Sequence, residues 1–207
     1  SGQQNTAVGY RNMLETTQGS YNTTLGYNSM SQDAGLANNH NTFIGANTGS
    51  GDWTTTACTL NTGVGSGVMQ SAMNGATNNT AVGVDGLNAL TTGDNNTAIG
   101  VFSLSGVTTG VQNVAVGALA GNAIQSGSNN VCIGRDADVS AENASNQIVI
   151  GQGVTSAGDN SVVLGNSDVT AVLCAADGEA QVYTSAIRFP ATQVANANAN
   201  ALDDYEE

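Results

Sequence analysis

A five-residue motif that ends in glycine recurs at a fixed interval along most of this chain. In the central part the closing glycines are each 17 residues apart, namely Gly83, Gly100, Gly117, Gly134 and Gly151. A short fixed period is the signature of a repeat architecture, in which each repeat buries its apolar residues by stacking on its neighbours. The sequence therefore predicts a solenoid.

The motif itself indicates a short strand. Asn79-Thr-Ala-Val-Gly83 is too short for a helix, is rich in β-branched residues and ends in a turn residue. Other copies close at Gly9, Gly26, Gly45, Gly65 and Gly165, with spacings of 17, 19, 20 and 18 residues before Gly83 and 14 after Gly151. We expect an all-β parallel β-roll of about ten turns, in which the surplus residues of long turns loop out.

The second half of each turn carries a weaker apolar pattern, as in Asn88-Ala-Leu90 and Phe102-Ser-Leu104. It predicts a second strand between two glycine corners. Only 4% of the residues are aromatic although 40% are hydrophobic, which suits thin layers of Val, Ile, Leu and Ala.

Alternation along the strand assigns two columns of side chains to opposite faces. The large aliphatic column is predicted to fill the repeat core: Val8, Leu25, Ile44, Val64, Val82, Ile99, Val116, Ile133, Ile150 and Leu164. The opposite column is small and uncharged in most turns, apart from Phe43 and Gly63, and is predicted to lie against other subunits. Its members at the predicted trimer axis are Ala7, Ala81, Ala98, Ala115, Cys132, Val149 and Val163.

An asparagine opens nearly every copy of the motif. Stacked turns would place these amides above one another, where they could form a hydrogen-bonded ladder that satisfies backbone groups of the turns. The alternative is an ordinary turn asparagine that faces water.

The charge excludes some partners. The chain has 16 acidic residues and three basic ones, for a net charge of −13. Nucleic-acid binding requires clustered Lys and Arg, so no nucleic-acid partner is expected. No apolar run is long enough for membrane insertion. The three cysteines, Cys58, Cys132 and Cys174, are widely spaced, which fits neither a disulfide framework nor a zinc site.

Catalytic patterns are weak. One histidine, His40, makes a catalytic triad improbable. Asp136 and Asp138 form the best carboxylate pair, but a solvated acidic corner explains them better. We expect no enzyme, no catalytic residues, no metal site and no cofactor.

The pattern Asn-x-Ala-(Val/Ile)-Gly-x-x-Ala-Leu resembles the head repeats of YadA-like trimeric autotransporter adhesins, which also occur in bacteriophage tail fibres. The resemblance covers residues 1–168, and Asn146–Gly151 and Asp159–Gly165 are most similar. It implies a left-handed β-roll, a homotrimer and attachment to a surface. Residues 169–207 are predicted to form a β-hairpin around Asp177-Gly178 and then a linker to a further domain.

The expected function is a structural and adhesive module of a trimeric phage tail fibre, outside the cell on the virion. The alternative is the head of a bacterial trimeric adhesin on the outer cell surface. Expected partners are two further copies of the chain, other fibre or baseplate domains, and a glycan or protein of the host surface. The long turns Ala46–Leu60 and Ser66–Asn78 offer area for the last, with Trp53, Asp52 and Thr54 as candidate receptor contacts.

Two other functions are less favoured. A depolymerising tailspike would need an acidic cluster beside an aromatic groove. An ice-binding solenoid would use the Thr that recurs in each of the first six turns, but alternation places this Thr on the predicted interior side.

Overall fold

The computed structural model describes residues 2–31 and 35–169, and over these residues the protein is an all-β solenoid. One parallel sheet contains all the named strands in sequence order, and the chain makes about nine turns. The strands are β1 (Thr6–Tyr10), β2 (Thr23–Tyr27), β3 (Thr42–Ala46), β4 (Thr62–Ser66), β5 (Thr80–Val84), β6 (Thr97–Ile99), β7 (Val114–Val116), β8 (Val131–Ile133), β9 (Gln147–Ile150) and β10 (Ser161–Leu164). The predicted fold class, a parallel β-solenoid, is confirmed.

The register of the sheet follows the sequence repeat. Each motif residue pairs with its counterpart one turn on, so that Thr23 pairs with Thr42 and Gly26 with Gly45. The pairing remains in step through β9 and β10, where the spacing falls to 14 residues and Ile150 pairs with Leu164. The predicted C-terminal hairpin and linker lie, apart from Val169, outside the described residues.

The second half of each turn is not a strand, so that prediction is wrong. Leu87 and Leu104 have φ angles of 49° and 48°, in the left-handed region, and the chain curls instead of extending. The half-turns are still joined between layers, because Leu87 N donates to Ser103 O (3.1 Å) and Leu104 N to Ala120 O (2.9 Å). These half-turns form the side of the solenoid opposite the sheet.

The interior is filled from both sides of each turn, and the predicted assignment of the faces is reversed. Small residues of the strands, such as Ala81, Ala98 and Ala115, are fully buried. They face large residues of the half-turns, which are equally buried: Leu87, Leu90, Leu104, Val107 and Ile124. Because these half-turns supply the bulk, the remaining space at Ala81, Ala98 and Ala115 is filled by a methyl group.

The interior of turns 3 and 4 is filled by a different set of side chains. Phe43 occupies the small-residue position of β3, and the residue paired with it in β4 is Gly63, where a Cβ atom would approach the Phe43 ring to 2.8 Å. The longer turn between these strands adds Trp53, which packs edge-on against Phe43 with ring centroids 5.8 Å apart. A large residue, a matching glycine and an extra loop thus form a local core.

The opening asparagines form the predicted ladder. Asn79 Oδ1 accepts hydrogen bonds from the backbone N–H (2.9 Å) and side-chain amide (3.1 Å) of Asn96, one turn on. Asn96 repeats this pattern with Asn113, at 3.0 and 3.1 Å. The ladder begins at Asn5 and is fully buried from Asn22 to Asn130.

The ladder ends at Gln147, which takes the asparagine position in β9. Its backbone N–H still donates to Asn130 Oδ1 (3.0 Å), but its side-chain amide turns to Asp159 Oδ1 (2.9 Å) and Ser140 Oγ (2.8 Å). The Ser145 N–H and the Gln147 amide hold the pKa of Asp159 below its usual range. The change of partner coincides with the change from 17-residue to 14-residue turns.

Candidate functional site

The large aliphatic column lies on the outer face of the sheet, and its prediction as the repeat core is wrong. Eight members retain between 37% and 54% of their surface exposed, and the other two are half-buried. The exposed members are Val8, Leu25, Val82, Ile99, Val116, Ile133, Ile150 and Leu164, and the half-buried ones are Ile44 and Val64. The column contains no charged residue. We call it the outer aliphatic column.

The small-residue column cannot form the predicted trimer axis. Ala81, Ala98, Ala115, Cys132 and Val149 are completely buried within a single chain. Val163 is half-buried, and Ala7 is exposed in the first described turn, which has a neighbouring turn on one side. Side chains that fill the interior of one chain cannot reach a second copy.

A second outward column runs beside the first. It holds threonine in the first six strands, from Thr6 to Thr97, and then Val114, Val131, Ile148 and Val162. The sequence-based argument that this threonine column faces the interior is therefore also wrong. The members of this column from Thr42 to Ile148 are half-buried, and those nearer the two ends are exposed.

The other edge of the sheet widens the apolar surface. Tyr10 and Tyr27 stack on each other with centroids 5.5 Å apart, and both are more than half exposed. Further along this edge, Val84, Val101 and Phe102 are each exposed by about two fifths. Its one charged residue between Tyr10 and Asn166 is Arg135, which pairs with Asp136 at 3.1 Å.

These three columns form one continuous and nearly uncharged face, which we call the outer sheet face. Its apolar part is the outer aliphatic column with the neighbouring tyrosines and valines, and threonines lie beside that column in the first six strands. With strands about 4.8 Å apart and residues about 3.3 Å apart, the outer sheet face measures roughly 43 by 13 Å, or about 600 Å². Within this area the outer aliphatic column exposes an apolar strip along the whole described solenoid, and such strips are typical of interaction surfaces. The outer sheet face is therefore the strongest candidate interaction surface in the described residues.

The predicted receptor contacts are only partly at the surface. Trp53 is fully buried against Phe43 and cannot contact a receptor, so its prediction as a contact is wrong. Asp52 and Thr54 are exposed. The loop is held in place by Asn74, whose Oδ1 accepts hydrogen bonds from Thr54 N (3.2 Å) and Thr55 N (3.1 Å).

Asp136 and Asp138, the carboxylate pair identified in the sequence, contact neighbouring groups of the chain. Asp138 accepts hydrogen bonds from Val139 N (2.8 Å) and Ala123 N (3.1 Å). Burial raises the pKa of Asp138, while these two hydrogen bonds oppose the shift. Asp136 is occupied by its ion pair with Arg135. Asp138 therefore stabilises a corner of the solenoid, and Asp136 forms an exposed ion pair with its neighbour in the chain.

Reactive groups are few in the part of the chain that the structure describes. Burial raises the pKa of the Cys58 thiol to about 11 and that of the Cys132 thiol to about 12, which keeps both protonated at neutral pH. Among residues 2–31 and 35–169, no group of three or more His, Cys, Asp or Glu side chains is placed to hold a metal ion. The same residues include no helix of the length and apolarity needed to cross a membrane.

Comparison with known proteins found no match among protein-family models, curated proteins or solved structures. The outer sheet face is therefore identified as a candidate interaction surface from the structure alone.

Proposed function

We propose that this chain is a structural and adhesive module of a homotrimeric fibre, of the kind found in bacteriophage tail fibres. The observation that supports it most is the outer sheet face, which is continuous and nearly free of charge and exposes an aliphatic column along the whole described solenoid. When copies of the solenoid pack around a common axis through this face, its apolar surface is removed from water and the polar sides remain exposed.

The trimer is proposed on the outer sheet face and not on the small-residue column. A closed ring of three copies would bury the outer aliphatic column of each chain near the axis. The half-turns, which carry exposed polar residues such as Thr92, Thr109 and Gln125, would then face water. The resemblance of the repeats to those of YadA-like heads favours three copies over two.

The alternative origin is the head of a bacterial trimeric autotransporter adhesin. Both origins place the module outside the cell and both attach it to a surface, with a host glycan or protein as the partner. No depolymerase activity is proposed, because Asp138 of the one carboxylate pair considered for it is bound to two backbone N–H groups and Asp136 is paired with Arg135.

Binding of the purified protein to bacterial cells tests the proposed function. We expect the intact protein to sediment with cells of at least one strain in a diverse panel, and an excess of unlabelled protein to compete. Failure to bind any strain under conditions where the protein is folded would contradict an adhesive role.

Ice binding is a second candidate, favoured by one specific observation. The threonine column lies on the outer face of a regular parallel sheet, beside an aliphatic column at the same spacing. Thermal hysteresis by a monomeric wild-type protein would support this candidate over the fibre module.

A further inference from the structure

One corner of the solenoid is held in the left-handed backbone conformation in every described turn. The residue just before each ladder position has a φ angle between 55° and 61°, and we call this set the left-handed corner column. Its members are Gln4, Tyr21, His40, Leu60, Asn78, Asn95, Gln112, Asn129, Asn146 and Asn160. Side chains in this column point away from the interior and most are exposed.

Three consecutive members depart from the pattern of the column. Seven positions carry Asn or Gln, and asparagine adopts the left-handed region more readily than most residues do. Tyr21, His40 and Leu60 occupy the same conformation, although tyrosine and leucine do not share the preference of asparagine for it. Backbone hydrogen bonds between turns hold them there, from Tyr21 N to Gln3 O (3.0 Å), His40 N to Ser20 O (3.0 Å) and Leu60 N to Asn39 O (3.1 Å).

The same three residues form an exposed apolar patch on an otherwise polar corner. The Tyr21 and His40 rings are parallel within 2°, with centroids 4.7 Å apart. Tyr21 remains 54% exposed although His40 covers one of its faces, and Leu60 is 52% exposed. Three adjacent positions of an otherwise polar corner thus expose aromatic and aliphatic surface, which is more typical of a binding site than of a structural element.

Neutral hydrogen-bonding groups flank the patch on both sides. The row that precedes it in the chain contains Ser20, Asn39 and Thr59, which are half-buried. The row on its other side contains the outward threonines of β2, β3 and β4, from Thr23 to Thr62, which lie at the margin of the outer sheet face, between this corner and the outer aliphatic column that the trimer would bury. Neither row contains a charged residue over these three turns.

We propose that Tyr21, His40 and Leu60 form a binding site for a neutral saccharide, which deepens and rests on the proposed adhesive function. Aromatic and aliphatic side chains bury the carbon-bound face of a sugar ring, while flanking hydroxyl and amide groups bind its hydroxyls. The three rungs span about 10 Å, which matches two linked hexoses. A protein partner would require a much larger area, of about 800 Å² on each side.

The charge of the molecule decides which saccharides fit. A net charge of −13 repels acidic polysaccharides, and neither flanking row contains a cation that could bind a carboxylate or a phosphate. In the proposed fibre each site is present three times, so that weak single contacts combine through avidity.

A double variant tests the site without disturbing the fold. Tyr21→Asn with His40→Asn places in this corner the residue that most of the column already uses. We therefore expect an unchanged or slightly higher melting temperature. On an array of neutral hexose and N-acetylhexosamine oligosaccharides, we expect wild type to bind at least one glycan and the double variant to bind it at least about tenfold more weakly. Gln112→Asn, in the same column and several turns away, is the matched control and should bind like wild type.

His40 also supplies a direct reporter, because it is the one histidine in the sequence. Its imidazole signals in an NMR spectrum should shift when the bound neutral oligosaccharide is added and should remain unchanged with sialyllactose. Absence of binding to every neutral glycan, or equal binding by wild type and the double variant, would overturn the proposal.

The two proposals fail in different ways. If wild type and the double variant bind cells equally well, the saccharide site is wrong while the adhesive function stands. If the glycan binds at His40 but no cell is bound, the saccharide site stands and the adhesive function is wrong. Loss of binding after protease treatment of the cells, but not after periodate oxidation of their glycans, would overturn the saccharide as the ligand.

Discussion

Gly100→Ala should lower the free energy of unfolding by about 3–5 kcal/mol, although it adds a single methyl group. Gly100 has a φ angle of 137°, a conformation that residues with a side chain rarely adopt. A Cβ atom there would lie 2.6 Å from the carbonyl carbon of Gly117 and closer still to its oxygen. These are backbone atoms of the next turn, so they cannot rotate away, and the turns would have to separate.

Gly86→Ala is the matched control for this variant. Gly86 lies in the adjoining half-turn, and a Cβ atom there would meet Ala81 Cβ at 3.5 Å, which is ordinary van der Waals contact. We expect a change of less than about 1 kcal/mol, because the alanine also restricts the unfolded chain. Urea or thermal unfolding followed by circular dichroism measures both variants. Equal stability of Gly100→Ala and Gly86→Ala would show that the turns are not stacked as closely as described.

Asn96→Leu should lower the free energy of unfolding by a similar amount, about 3–5 kcal/mol. Asn96 Nδ2 donates to Asn79 Oδ1 (3.1 Å) and Gly110 O (2.8 Å), and Asn96 Oδ1 accepts from Asn113 N (3.0 Å) and Asn113 Nδ2 (3.1 Å). Leucine branches at the same carbon atom but is larger and can make none of these bonds. The variant leaves buried donors and acceptors without partners in two neighbouring turns.

The neighbouring residue supplies the control for the ladder. Asn95 is exposed and lies in the left-handed corner column, where glutamine also occurs, so Asn95→Gln should leave the melting temperature almost unchanged. Hydrogen exchange adds a spatial readout, since Asn96→Leu should speed exchange in β5 to β7 before it affects β1 or β10. A uniform effect along the solenoid, or none, would contradict the ladder as the local joint between turns.

Much of the fold could be predicted from the period alone. The glycine spacing fixes which residues stack, and each strand predicted from the glycine motif occurs with the predicted register, from Thr6 paired with Thr23 to Ile150 paired with Leu164. The asparagine ladder was also predictable, because identical polar residues in register have few other ways to satisfy buried groups.

The orientation of the strands could not be predicted from alternation. Alternation separates two faces but does not say which face is inside, and the larger aliphatic column was assigned to the interior. The decisive residues were in the half-turns, where Leu87, Leu104 and Ile124 already fill each layer. The summed side-chain volume of a whole turn would have indicated that the strand position opposite these leucines and isoleucine must carry a small residue.

The candidate interaction sites were missed for related reasons. Trp53 is the single tryptophan and lies in a long turn, a pattern that fits an exposed contact and equally fits a ring that fills a wider interior, where it is found. Tyr21 and His40 gave a weaker signal, which was their replacement of Asn or Gln just before the ladder position. That signal gains meaning only once the left-handed backbone of the corner is known.

The mass of the protein in solution tests the central claim, that copies of this chain pack through the outer sheet face. By light scattering at micromolar concentration, we expect wild type to have three times the chain mass of 20.6 kDa. Ile99→Asp with Val116→Asp places charges on the outer aliphatic column, where burial against another copy would be costly, and should give a folded protein of single-chain mass. Thr109→Asp with Ser126→Asp, on exposed half-turn positions, should remain trimeric. A folded wild-type monomer, or a trimer that tolerates both aspartates in the outer aliphatic column, would contradict the account.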